Sequence, residues 1–191
     1  MPPFSWARMT YPTIYFLRHG ETEWNRERRI QGQLESVLTE KGVAHAHTQA
    51  RLIKPILDAG LQCFVSPLKR AMQTAEIALH GHDMTVDERL MEIHVGDWQG
   101  ELRDNIVGNK TLPILDLYAS APNGEGFDRF EARIKSFLDD LAGPSVIVAH
   151  GMWGQVMRGL IQGRPRAEMS GLSNHQGCIY VLENGQERLI M

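Results

Sequence analysis

TIYFLRHGETEWN, residues 13–25, runs from β-branched and aromatic residues into Arg18, His19 and Gly20, then into two carboxylates and a hydroxyl. Thr13 to Leu17 has the composition of a strand. A buried strand does not end on Arg-His unless those side chains have something to hold, and a surface turn needs no such sequence. In open α/β sheets, ligands gather outside the carboxyl ends of strands, where loops and helix starts converge. Residues 18–20 are therefore read as one edge of a site.

Outward from this stretch, apolar runs alternate with helix-like segments. Leu38 to Gly60 reads as a helix with Thr39 as N-cap and Gly60 as terminator, and Ala44, Ala50, Ile53 and Leu57 share its apolar face. Pro55 is expected to kink that helix or end it early. Cys63 to Ser66 is a second strand. Pro67 opens a helix at its first position, reaching about Leu79. Met84 to Val86 forms a short strand. A helix follows from Gly124, ended by Gly143. Ser145 to Ala149 (SVIVA) is the plainest strand, with a helix after His150. CIYVL and RLIM pair around the turn ENGQ. This alternation predicts an α/β fold, a three-layer α/β/α sandwich around a mostly parallel sheet with an antiparallel edge. Residues 1–12 read as an N-terminal extension and 13–191 as a single domain. Residues 101–123, carrying Gly108, Pro113 and Pro122, read as an irregular insertion over the site.

Composition narrows the classes of function. The 191 residues are 42% hydrophobic and 23% charged, ordinary for a folded soluble chain. A formal net charge of −3 argues against nucleic acid or acidic membranes as partners, so an anion site must come from local arrangement. Cys63 and Cys178 lie far apart in apolar stretches and read as buried free thiols. The N-terminus lacks the apolar core of a signal peptide, and no run reaches transmembrane length; the expectation is a cytoplasmic protein.

Three further polar outbreaks follow strands: Ser66 to Arg70, Arg89 to Gly100 with Glu92, and His150-Gly151. Two arginines, two histidines and a carboxylate thus share one rim. RHGETEWN, RIQGQLESVLTEKG, SPLKRAMQTA and the late VAHG resemble, in order, the landmarks of the histidine phosphatase superfamily, also called phosphoglycerate mutase-like. The resemblance runs from about Thr13 to Leu182. It implies His19 as the phosphoryl-accepting nucleophile and Arg18, Arg70 and His150 as the phosphate clamp, with Glu92 as proton donor. Neutral imidazole can attack phosphorus, and planar guanidinium forks hold phosphate oxygens bidentately. The resemblance also implies substrate contacts from Asn25, Gln31, Gly32 and Gly151, and Thr22 could add a hydroxyl. From the residues alone, Asn25 reads equally as a cap, Gly32 as a turn residue, and Glu92 as a surface partner of Arg89 or Arg103.

Other histidines carry less. His45 and His47, two apart on a helix, point to different faces. His80, His82 and Asp83 read as loop, without ligand spacing for a metal. No Walker loop or dinucleotide glycine motif is present, and no cofactor or metal is expected. Departures from the family pattern stand at Glu35, Val37, His94, Gln99, Met152 and Trp153; Trp153 reads either as core or as a partial cover of the site. The implied activity is hydrolysis of a small phosphomonoester through a phosphohistidine. The alternatives are a bisphosphate-primed phosphoglycerate mutase and a phospholigand-binding module with little turnover. Few cations in the insertion, Arg103 and Lys110, favour the hydrolase. A homodimer is left open.

Overall fold

The computed structural model describes residues 11–108 and 112–191. Among them, β1 (Ile14–Arg18), β2 (Gln62–Val65), β3 (Thr85–Val86), β4 (Ser145–Ala149), β5 (Ile179–Glu183) and β6 (Gln186–Ile190) form one sheet in the order β3-β2-β4-β1-β5-β6. The first four in that order are mutually parallel; β5 and β6 form the antiparallel edge. The helices are α1 (Glu23–Arg26), α2 (Glu40–Leu57), α3 (Lys69–Ala78), α4 (Arg103–Val107), α5 (Ile114–Ala119), α6 (Gly126–Asp139), α7 (Gly151–Gln162) and α8 (Arg166–Met169). No described helix is long and apolar enough to cross a membrane.

The sheet is covered on both faces, which is why β4 is apolar almost throughout and buried at every position. Ile147 and Ala149 face a cluster with Phe16, Phe130 and Ile134 of α6 and Trp153 of α7. Val146 and Val148 face the other, with Leu17, Ile53 of α2 and Ala71 of α3. The result is the expected three layers. Both cysteines are free and buried. The last two strands turn through Asn184 (φ 52°) and Gly185 (φ 74°), the paired positive φ values of a tight hairpin.

Several element boundaries differ from the sequence reading. Thr39 does cap α2, accepting from the Gly42 N–H, but the buried face is Gly42, Ala46, Gln49, Ile53 and Leu57. Ala44 is exposed and Ala50 half-buried. Two tertiary contacts decide that face. Gly42 is where the loop after β1 crosses: a Cβ there would lie 2.0 Å from the Glu21 carbonyl oxygen, and one on Gly20 would lie 2.2 Å from the Gly42 oxygen. Gln49 donates to the carbonyls of Arg18 (2.9 Å) and Cys178 (3.1 Å), tying β1 to the helix. Pro55 lies inside the last turn without ending it, although its ring nitrogen has no hydrogen to donate back to the Arg51 carbonyl. Pro67 is not the first helical residue; α3 starts at Lys69, whose free N–H is taken by the Glu35 carboxylate at 3.1 Å. The helix α6 stops before Gly143, with Asp140 at its C-cap. Residues 101–123 are not irregular throughout, since α4 and α5 lie there and Leu115 and Leu117 are buried. Lys110 and residues 1–10 of the N-terminal extension lie outside the described residues.

Candidate active site

Strand register builds the site. Arg18 on β1 pairs with Ala149 on β4, so the next residues, His19 and His150, emerge side by side, with ring centroids 5.2 Å apart. Val65 on β2 pairs with Val148, which brings Ser66 to the same edge. Beside this edge lies a cavity of about 330 Å³ whose wall includes Arg18, His19, Asn25, Gln31, Gly32, Arg70, Glu92 and Gly151.

His19 is buried, 3% exposed, and its Nδ1 lies 2.7 Å from the Gly20 carbonyl oxygen. A carbonyl only accepts, so Nδ1 carries the proton there. Burial, then Arg70 and Arg18, push the imidazole pKa well below 6.5. The neutral ring therefore has its free lone pair on Nε2. His150, fully buried, is likewise pushed well below 6.5 by burial, then by Arg70 and His19.

The arginines are held from behind. Arg70, 1% exposed, donates from Nη1 to Leu34 O (2.8 Å) and from Nη2 to Gly32 O (2.7 Å). Burial lowers its pKa to about 10, still protonated at neutral pH. Arg18 donates from Nη1 to the Asn174 carbonyl, and burial lowers its pKa as well. On the cavity wall, Nε of Arg18, Nε of Arg70 and Oε1 of Gln31 are buried with no partner among the described residues, and so is Nδ1 of His150, whose ring lies next to His19 but does not line the cavity. Buried polar groups are ordinarily paired. Two orphaned guanidinium nitrogens on the wall of a cationic cavity are what a bound tetrahedral oxyanion would satisfy.

Glu92 pairs with neither Arg89 nor Arg103. Arg89 instead bridges Asp87 and Asp140. The Glu92 carboxylate accepts the N–H groups of Ile93 and Trp153 at Oε1 and of Met152 at Oε2, each at 3.0 Å. It thus caps α7 from outside, where His150 at the N-cap contributes no side-chain bond. The carboxylate is fixed at the cavity wall by backbone alone.

Most residues expected from the sequence line this cavity; His150 does not, and stands fully buried beside His19. Thr22 does not line the cavity: its hydroxyl accepts the Asn25 N–H and Asn25 Oδ1 accepts the Thr22 N–H, a reciprocal cap of α1. Asn25 lines the cavity while serving that cap, and Gln176 donates to its Oδ1 at 3.3 Å. Gly32 (φ 52°) leaves no room for a Cβ, which would fall 2.4 Å from Oε1 of Gln99. Gln99 also accepts the Gln33 N–H (2.8 Å) and lies 3.4 Å from His94 Nε2, so two departures from the family pattern touch each other behind this loop. Trp153 is core and does not cover the site; fully buried, it donates from Nε1 to Arg89 O, and Met152 lines the cavity instead. His175 is exposed and its neighbour Asn174 is at the wall. The sequence reading missed Trp24, Arg28, Arg29, Tyr118 and Asn174, which also line it. The Arg28-Arg29 pair beside Gln31-Gly32 was the available signal; nothing local marks Tyr118 or Asn174.

The strand ends of one parallel sheet bring two arginines and two neutral histidines together, with Arg18, His19 and Arg70 on the wall of one cavity, the arrangement of an enzyme that handles phosphoryl groups. The chain belongs to the histidine phosphatase superfamily, branch 1, whose family model matches residues 14–190. It is 34% identical over 165 residues to a probable phosphoglycerate mutase GpmB of Erwinia tasmaniensis, covering 80% of this chain and 75% of that protein. Among solved structures it resembles Bacillus stearothermophilus YhfR, at 30% identity and TM-score 0.75 over 93% of this chain and 95% of that one. It shares its fold with the alpha-ribazole phosphatase of Shigella flexneri, at 24% identity and TM-score 0.77 over 93% and 95% of the two chains.

Proposed function

We propose that this enzyme hydrolyses a small phosphomonoester through a phosphohistidine on His19. The observation that carries the reading is the bond from His19 Nδ1 to the Gly20 carbonyl, which leaves Nε2 of a neutral imidazole free for attack. As the Nε2–P bond forms, the ester P–O bond breaks and the leaving alkoxide takes a proton from Glu92. Water then loses a proton to the Glu92 carboxylate and attacks phosphorus, the P–N bond breaks, and inorganic phosphate leaves. Arg18, Arg70 and His150 hold the equatorial oxygens, the interactions that matter most in such a transition state. Gln31, Gly32, Asn25 and Gly151 shape the binding pocket. Neither the steps nor the residues call for a metal or cofactor.

The test is to trap the adduct. Mixing with labelled substrate and quenching without acid should yield an acid-labile, base-stable phosphoenzyme. A folded His19→Ala variant should lose at least ~10⁴-fold in kcat. Full turnover by that variant would overturn the assignment.

The mutase reading gains support from the cavity wall. Arg28, Arg29 and Arg103 add three cations to the phosphate pair, more than the insertion alone suggested, and they suit a substrate with a second anionic group. Relatives named probable phosphoglycerate mutase point the same way. Following phosphate release against interconversion of 2- and 3-phosphoglycerate, with and without 2,3-bisphosphoglycerate, decides between them. Fast primed interconversion with little phosphate released would make the mutase reading correct.

A further inference from the structure

Ser66 is fully buried at the end of β2 and does not line the cavity. Its Oγ has two partners among the described residues: the Leu68 N–H, which donates to it at 3.4 Å, and Nε2 of His150 at 2.7 Å. A backbone N–H can only donate, so Oγ accepts from Leu68. The hydroxyl proton then has one acceptor within reach, Nε2 of His150. Were the direction reversed, with Nε2–H donating, the buried hydroxyl proton would have no acceptor among the described residues. His150 Nδ1 would then be a bare lone pair, also buried and unpartnered. That lone pair would repel an oxyanion. With the proton on Nδ1, the same orphaned atom becomes a donor on the ring that stands 5.2 Å from that of His19.

We propose that Ser66 is a positioning residue: its hydroxyl donates to Nε2 of His150 and so keeps the imidazole proton on Nδ1, as the donor offered to the phosphoryl oxygens. The role rests on the phosphatase reading for its use, but the tautomer stands on geometry alone. The two strand-end histidines then hold the same Nδ1–H tautomer by opposite means. His19 donates to a carbonyl, which frees Nε2 for attack; His150 accepts from a hydroxyl, which frees Nδ1–H for binding. One neutral ring is a nucleophile and the other a donor, without either needing to be charged.

The experiment is ¹⁵N NMR of histidine-labelled enzyme at a pH where both rings are neutral, with His150 assigned by substitution. A pyrrole-type Nδ1 and a pyridine-type Nε2 are expected in the wild type. Ser66→Ala should shift His150 toward the other tautomer and lower kcat about tenfold with little change in KM, the scale of one hydrogen bond. Ser66→Thr, which keeps the hydroxyl, should retain both the signature and the rate. A wild-type His150 with its proton on Nε2 overturns the proposal, and so does a Ser66→Ala variant that keeps the Nδ1–H signature. The wild-type spectrum decides even if neither variant folds. Absence of a phosphoenzyme would sink the hydrolytic reading and leave the tautomer result untouched.

Discussion

The inner end of the cavity and its mouth are built by different means. Arg18, His19, Arg70 and His150 leave the ends of strands or start a helix against them, and all but Arg18 are nearly inaccessible. Their partners are backbone carbonyls or buried hydroxyls. At the mouth, Arg28 sits on a loop with φ 59°, a left-handed conformation that is unfavourable for a residue with a Cβ. Its guanidinium pairs with Asp104 at 2.8 Å, with side chains 66% and 68% exposed. Exposed pairs of this kind contribute little to stability. Arg103 opens α4, and Tyr118 lies in α5. On the proposed reading, the groups that carry the reaction stand where sheet register restricts movement, and those that would select among substrates stand on loops that can change without disturbing the sheet.

The largest effect that would sharpen this contrast concerns Glu92, which is fixed at the inner end. Glu92→Gln should slow esters of poorly stabilised alkoxides by ~100-fold or more, while activated aryl phosphates lose far less. A leaving-group series showing equal losses would reassign Glu92 to capping α7 alone.

The buried histidines should also make the inner end sensitive to acid. Both have folded pKa values well below the 6.5 of the free side chain. As pH falls through about 6.5, the unfolded chain takes up protons that the folded chain refuses, so stability drops. It is regained above that pH, where neither state binds the proton. Each imidazole contributes a limiting slope of about 1.4 kcal/mol per pH unit. Urea midpoints between pH 7 and 5.5 should show the decline, and His19→Asn should make it shallower. An unchanged slope in that variant would mean that His19 takes its proton within the folded site.

The smallest effect belongs to the mouth. Arg28→Gly removes a cation and relieves the positive φ, so folding stability should hold. KM for substrates bearing a second anionic group should rise severalfold, with kcat within about twofold. A large fall in kcat instead would place Arg28 among the phosphate-holding groups and erase the distinction between the two ends.

Legibility in the sequence followed the same division. The strands SVIVA and TIYFL were plain because strands covered on both faces are largely apolar, and the polar residues after them stood out by contrast. His19, Arg18, Arg70 and His150 were readable for that reason, together with their ordered resemblance to one family. Gln49 and Gly42 were not, because a buried amide and a helical glycine make sense only once β1 and its following loop are seen to lie against α2. Arg28 and Asn174 reach the cavity from segments roughly 150 residues apart, and no local periodicity encodes that meeting. Trp153 could be read as core or as cover until α7 was docked on the sheet, where its ring packs 6.0 Å from Phe16 and 5.9 Å from Phe137.

The sequence by itself determined the order of the strands and of the longer helices, the chemical kinds of group at the strand ends and the family, since periodicity, turn residues and short motifs are local properties of a chain. Only the tertiary structure decided which nitrogen of each histidine is engaged, that Glu92 is held by the start of α7, and how many cations share the cavity. Those depend on distances between residues far apart in the chain, and hydrogen-bond direction and desolvation are functions of such distances rather than of sequence spacing.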